Sequence, residues 1–485
     1  MMNLYKIGII RQLEQIAIER LDISEEELML RAGKAAFSLL CQRWPLARRI
    51  AVVCGKGNNA GDGYVVARLA KEQGLEVVVH QLAPLSKLKG PALVAAEAAE
   101  KLGVKMGNFG LKGNEDLIID AILGIGAKGK IQDQYAEAII ACNQSNAPVL
   151  AIDIPSGLDG DTGNDLGCSV KAEATITFIA PKLGLFTGSG VAVAGEVFID
   201  NLNLPKKIFK SISSSSEAIL ISELPHLPSR PKDAHKGKFG HVLIIGGDNG
   251  MAGAVRMAGE AALRVGSGLV TVATRPEHIS VVAGQRPELM CKAIRKIEDL
   301  TPLLERATVL VLGPGLGQSE WSKMLFSAVI SSHLPMVIDA DGLNLLAKQF
   351  IKNDHWVLTP HPGEAGRLLN LSTQDIQMNR CLHADKIQSK YGGICVLKGA
   401  GTIIKGPNEI PRICQIGNPG MATGGMGDVL SGVIGGLIAQ GLSLIEGAVG
   451  GVMLHGKAGD LVAKQSGERG LIATDLMPFL RQLVN

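Results

Sequence analysis

The sequence predicts two successive α/β domains, each a mostly parallel sheet with helices on both faces. Three observations carry this. Short apolar runs alternate with stretches of helical spacing from residue 49 to 180, and a second such series runs from 241 to 399. Between them, residues 201–236 are rich in proline and serine, a composition that suits an extended linker. The length, 485 residues, also exceeds what one hydrophobic core spans.

In the first series, strands are predicted at 49–55, 75–83, 116–124, 148–155 and 172–180, with helices at 64–74, 91–103 and 134–143. An amphipathic helix precedes them. It carries Arg11, Glu14, Glu19, Arg20 and Asp22, charges that a signal peptide lacks. The linker holds Pro205, the serines from Ser211 to Ser216 around Ile212, and Pro225, Pro228 and Pro231. That places the boundary near 215–230, giving domains at 1–215 and 225–485. In the second series, strands are predicted at 241–247, 269–274, 307–313, 335–339, 356–359 and 393–399. The glycine-rich apolar stretch from Val429 to Leu442 reads as a buried helix, being shorter than a membrane span.

Composition excludes several classes. A hydrophobic fraction of 46% and a charged fraction of 20% are those of a soluble globular chain. With 49 basic against 46 acidic residues, the net charge of +3 supplies no footprint for nucleic acid, and 4% aromatics supply no base-stacking platform. The eight cysteines are scattered without a CxxC pair, as in a reducing compartment. No apolar run reaches membrane-span length, so a cytoplasmic protein is expected. Glycine stands out, with 60 residues gathered in short clusters, the pattern useful where backbone must approach a ligand.

Three such clusters fall at predicted strand ends in the first half, the edge where doubly wound sheets bind ligands. They are GKGNNAGDG (55–63), DAILGIG (120–126) and DIPSGLDG (153–160). The first is neither a dinucleotide fingerprint nor a P-loop. Its paired asparagines and aspartate supply oxygen ligands for a hard cation or a sugar, and Asn59, Asp120 and Ser156 are placed to converge above the sheet. Ordinary turn chemistry is the bland alternative for any one of them.

These three motifs, with LMLRAG at 28–33, resemble the NAD(P)H-hydrate epimerase domain, a Rossmann-like doubly wound fold, over about residues 10–205. The resemblance implies K+ bound at Asn59, Asp120 and Ser156. It implies substrate contacts from Asn58, Asn59, Ala60, Gly61 and Asp62, from Gly124, Ile125, Gly126, Ala127, Lys128, Gly129 and Lys130, and from Asp153, which is also the implied general base. Two positions depart from the family pattern. Ala60 replaces a usual glycine and is strained if its φ is positive, and 127–130 reads AKGK.

The second half carries HKGKFG (235–240), GMAGA (250–254), GPGLG (313–317), DADGLN (339–344), TPHPGE (359–364), KGAGT (398–402) and GGMGD (424–428). The last directly precedes the apolar helix. Backbone N–H groups there can hold a transferring phosphoryl group, and the aspartate can take a proton from the attacking hydroxyl. GGMGD resembles the anion hole and base of ribokinase-like kinases, and the ordered set is similar to ADP/ATP-dependent NAD(P)H-hydrate dehydratases over about 232–485.

That resemblance implies Asp428 as base and substrate contacts from Ala254, Gly317, His361 and Asp428. It implies nucleotide contacts from Lys398, Gly399, Ala400, Gly401, Thr402, Gly424, Gly425 and Gly427. His361, directly before Pro362, has a purely structural alternative. Mg2+ is expected with ADP or ATP, ADP being favoured, and no residue is assigned to it. Together the two halves imply repair of hydrated NADH and NADPH (NADHX and NADPHX) by a homo-oligomer. The rivals are a ribokinase-like vitamin-precursor kinase and a first half that only binds.

Overall fold

RIAVVC at Arg49–Cys54 forms the central strand β1 of the first sheet, and alternate residues explain its layers. Ile50, Val52 and Cys54 face one core, while Ala51 and Val53 face another. The computed structural model describes residues 2–210, 212, 218–220, 224, 227 and 229–485, and the chain divides into units at 2–220 and 221–485. The serines expected in the linker (Ser211 and Ser213–Ser216) and Pro225 and Pro228 lie outside the described residues.

The first sheet continues with β2 (Glu76–Gln81), β3 (Lys105–Asn108), β4 (Leu117–Ala121), β5 (Val149–Ile152), β6 (Ala174–Phe178) and β7 (Glu196–Asp200). Its order is β3-β2-β1-β4-β5-β6-β7, parallel throughout. Strand order therefore reverses between β1 and β4, and a crevice opens at such a switch point. Helices α1 (Ile7–Leu21), α2 (Glu25–Arg43), α3 (Asn58–Glu72) and α4 (Gly90–Lys101) cover one face, and α5 (Asp133–Gln144) the other. A short antiparallel ladder, Met2–Leu4 with Ala218–Leu220, ties the ends of the unit together.

Two differences from expectation matter. Strand β3 is largely exposed and carries no apolar run, and β7 carries only the three apolar residues Val197, Phe198 and Ile199, too short a run to mark a strand. Helix α3 begins at Asn58, six residues before the predicted start at Tyr64, so most of the GKGNNAGDG motif is helix. Ala60 consequently has negative φ and no strain.

In the second unit the strands are β8 (His241–Ile245), β9 (Leu269–Thr274), β10 (Met290–Ala293), β11 (Val309–Leu312), β12 (Met336–Ile338), β13 (Trp356–Leu358), β14 (Ile394–Leu397), β15 (Thr402–Lys405) and β16 (Arg412–Cys414). Within the unit they run β16-β15-β14-β13-β12-β11-β8-β9-β10. Pairing is parallel from β14 to β10 and antiparallel through β15 and β16. The strands β10, β15 and β16 were not expected. Thr402, an expected nucleotide contact, opens β15.

The helices that bear on the site are α6 (Ala252–Arg264), α7 (Pro362–Leu369), α8 (Arg380–Tyr391), α9 (Met426–Ala439) and α10 (Leu444–Ser466). Helix α9 is the expected buried apolar helix, shifted three residues toward the N-terminus. A Cβ on Gly432 would stand 2.0 Å from the Ala258 carbonyl oxygen, so glycine there allows α9 to pack directly on α6. No described helix is long and apolar enough to cross a membrane.

Candidate active sites

A cleft of about 800 Å³ opens in the first unit beyond the carboxyl ends of β1, β4 and β5. Asn58, Asn59, Asp62, Gly124, Ile125, Gly126, Ala127, Lys128 and Asp153, all expected substrate contacts, line it. Ala60 and Gly61 do not, because α3 turns them inward. A Cβ on Gly61 would meet the Met29 side chain at 2.5 Å and the Ala92 backbone at 3.0 Å. Gly129 and Lys130 also lie off the wall, and the Lys130 stem runs toward Gly167.

Asp120 and Ser156 are wholly buried just beneath. The Ser156 hydroxyl lies 2.5 Å from Asp120 Oδ1 and its N–H donates to Asp120 Oδ2 at 2.8 Å. The Leu123 N–H donates to Ser156 Oγ at 2.8 Å, and the Leu123 carbonyl accepts from Asn59 Nδ2 at 3.0 Å. Asn59 Oδ1 is buried with no hydrogen-bond partner, an arrangement that costs free energy unless a cation or water completes it. Burial pushes the Asp120 carboxyl up to about 6 against the hydrogen bonds from Ser156. One carboxylate among neutral oxygens fits a singly charged cation. Gly157, with φ +90°, makes the turn possible, since a Cβ would overlap the Cys168 carbonyl.

Asp153 follows β5 in the left-handed region, φ 66°, and accepts from the Phe178 N–H at 3.1 Å. Its carboxylate is ion-paired with Lys182, which is 1% exposed and also donates to the Phe178 carbonyl at 2.9 Å. Sequence reading missed Lys182, because APK after β6 looks like any surface turn. Glu14 on α1 was read only as a helix charge, yet it faces the cleft. Burial, then the charge of Asp153, raise the proton affinity of both Asp62 and Glu14. The cleft therefore has an acidic floor of Glu14, Asp62 and Asp153 and a basic rim of Arg11, Lys56 and Lys128.

In the second unit, the GGMGD loop enters α9 with Gly425 at φ +90° and Asp428 in the first turn. Burial first, and the neighbouring charge of Asp339 next, push the Asp428 carboxyl up to about 7, with Lys398 opposing. The three glycines of GPGLG all have positive φ. Gly317 N–H donates to Asp341 Oδ2 at 2.9 Å, and Ala254 stands against Gly315 at the start of α6. His361 caps α7: its Nδ1 accepts from Gly363 N–H at 3.0 Å while half the side chain stays exposed. Burial and nearby Lys398 lower the proton affinity of that imidazole. The ring caps the helix, and its Nε2 lies 3.4 Å from Glu364 Oε1.

Lys398–Thr402 forms a turn between β14 and β15. Lys398 Nζ points away from it, to Asp339 Oδ1 at 2.7 Å. Gly399, Ala400 and Gly401 remain as backbone surface, braced by Arg380 of α8. That guanidinium is 2% exposed and donates to the carbonyls of Leu397, Lys398 and Gly401 at 3.3–3.4 Å. Arg380 and Ser431 carry no signal in the sequence, and Asp339 stands in the DADGLN motif without a role assigned to it. Among the described residues, no three His, Cys, Asp or Glu side chains gather closely enough to hold a metal ion.

Residues 242–481 match the protein family described as NAD(P)H-hydrate dehydratase, and residues 25–184 the one described as YjeF-related protein N-terminus. A bifunctional NAD(P)H-hydrate repair enzyme of Coxiella burnetii is 52% identical over 485 residues, covering 99% of each chain. The chain belongs to the bifunctional NAD(P)H-hydrate repair enzymes. Their Escherichia coli relative is 45% identical over 479 residues, or 98% of this chain and 93% of its own. An ADP/ATP-dependent NAD(P)H-hydrate dehydratase structure from Bacillus subtilis is 26% identical, with a TM-score of 0.48, covering 53% of this chain and 93% of that one. In this member of the repair enzymes, the two matched segments contain Asp153 with Lys182 and Asp428 with Lys398. Glu14 lies ahead of the first matched segment.

Proposed function

We propose that this enzyme restores hydrated NADH and NADPH, the unit at 2–220 interconverting the R and S epimers at C6 and the unit at 221–485 dehydrating the S epimer. The observation that carries it is a pair of carboxylates, Asp153 and Asp428, each at the ligand-binding edge of its own sheet and each opposed by a lysine, Lys182 and Lys398. The kinase alternative lacks comparable support, because full-length relatives pair the same two domains. A cytoplasmic location and a homo-oligomer complete the reading, the latter tested by sedimentation.

In the first cleft, the basic rim suits the substrate's pyrophosphate and the acidic floor its damaged ring. Asp153 serves as the general base there, a role worth about 10²–10⁴ in rate. Asn59, the Leu123 carbonyl, Asp120 and Ser156 would hold K+, which anchors the loop after β4 against the start of α3. Epimerisation and the melting temperature are both expected to rise when potassium chloride replaces lithium chloride. Asn59→Ala should lose potassium affinity by about tenfold or more, the scale of a contact supporting a metal site. Equal responses to the two salts would exclude the cation.

In the second unit, Asp428 takes the proton of the C6 hydroxyl as that oxygen attacks the terminal phosphoryl of ADP or ATP, whose bond to the departing AMP or ADP breaks. The N–H groups of Gly424–Gly427 hold the transferring group. Phosphate then departs with the C6–O electron pair, a proton leaves C5, and the ring double bond returns. Mg2+ would arrive on the nucleotide phosphates and neutralise their charge, as such ions do with few protein ligands. A base must be deprotonated, so kcat/KM for dehydration should climb as pH rises toward about 7 and level off above it. A flat profile through that region would count against Asp428.

The deciding experiment supplies mixed-epimer NADH hydrate with ADP or ATP and Mg2+. Complete recovery of NADH with free phosphate is expected. A phosphorylated product without NADH would establish the kinase, and recovery of one half only would remove the epimerase.

A further inference from the structure

Beneath the GGMGD loop, a chain of buried polar groups runs back into the second sheet. Asp339, at the end of β12, is 1% exposed. Its Oδ1 accepts from Lys398 Nζ at 2.7 Å and its Oδ2 from the Ser431 hydroxyl at 2.7 Å. Ser431 is wholly buried one turn into α9, and its hydroxyl also lies 2.9 Å from the Gly427 carbonyl. That single proton is shared in a three-centre bond. The loop rests directly on these groups, since a Cβ on Gly427 would stand 3.3 Å from both Asp339 Oδ2 and Lys398 Nζ. Glu364 Oε2 stands 3.8 Å from the same lysine.

We propose that Asp339, Lys398 and Ser431 are positioning residues of phosphoryl transfer: the Asp339–Lys398 pair is the floor under Gly427, and Ser431 ties the first turn of α9 to it. Lys398 thereby acts through the anion loop and makes no contact with the nucleotide. Removing two charges from water is costly, and an apolar floor of the same shape would be at least as stable. What the ion pair adds is a fixed height and direction for the loop's N–H groups, on which stabilisation of the transferring phosphoryl depends. This rests on the dehydratase reading above.

The test compares the parent chain with Ser431→Ala and Lys398→Met, each checked for melting temperature. Ser431 reaches no solvent, so its hydroxyl touches no ligand. Its loss is expected to lower kcat for dehydration about tenfold, the scale of one charge-assisted hydrogen bond, with KM for hydrate and nucleotide unchanged. Lys398→Met should lower kcat further, again without raising the nucleotide KM. It should also move the acid limb of the pH profile upward, because Lys398 opposes the charges of Asp339, Asp341 and Glu364 at Asp428. A tenfold rise in nucleotide KM for Lys398→Met at intact kcat, or a Ser431→Ala enzyme equal to the parent, overturns the proposal. If Lys398→Met does not fold, Ser431→Ala alone decides. A parent chain that yields no NADH from the S hydrate refutes the dehydratase reading itself, and this proposal with it.

Discussion

Replacing Asp428 with asparagine is expected to lower kcat for dehydration of the S hydrate by about 10²–10⁴, the usual contribution of a positioned general base. KM for the nucleotide should hold, because the N–H groups of Gly424–Gly427 are untouched. Stability should not fall. Asp428 is crowded by Asp339, Asp341 and Glu364 with only Lys398 in opposition, and burial raises its proton affinity to about 7. A neutral amide of the same shape relieves that repulsion. The expected signature is a large kinetic loss with an unchanged or higher melting temperature, read by stopped-time NADH regeneration and thermal denaturation. A variant that keeps its activity would exclude Asp428 as the base.

The same substitution at Asp153 is expected to have the opposite effect on stability. Lys182 is 1% exposed, and its remaining partner is the Phe178 carbonyl. Taking away the carboxylate strands a buried cation, which typically costs about 3–5 kcal/mol. Asp153→Asn should therefore abolish epimerisation and destabilise the first unit together, and those two effects need separating. The double variant with Lys182→Met does so, because it removes the stranded charge. Stability is expected to return and epimerisation to stay lost. Chemical denaturation and chromatographic resolution of the two epimers give the readouts. Epimerisation that recovers along with stability would show that Asp153 only neutralises Lys182.

The contrast shows how far residues alone carry the argument. DIPSG and GGMGD mark Asp153 and Asp428 as candidate bases because each motif is local: a strand end or helix start, a turn glycine and a carboxylate within a few positions. The cluster proposed to hold a cation is legible for the same reason at Asn59, Asp120 and Ser156, and the Leu123 carbonyl that links them is not, since backbone oxygens leave no mark in a motif. Strand β3 is mostly exposed with no apolar period, and the apolar run of β7 is only three residues long, so neither stands out in the sequence. The helical start at Asn58 was hidden behind glycines that read as loop. Inside α3, Gly61 answers instead to the packing of α2 and α4.

By itself, then, the sequence determined two α/β sheets, the strand ends that carry chemistry, and the family to which those motifs belong. These follow from periodicity and short-range spacing. Tertiary structure decided which carboxylate stands over which lysine. Because β5 lies beside β6, Lys182 comes under Asp153; because β12 lies near β14 and α9 packs over β12, Asp339, Lys398 and Ser431 meet under one glycine. Burial and charge at a site are sums over such neighbours. Strand order brings them together from distant parts of the chain, and no local pattern records that order.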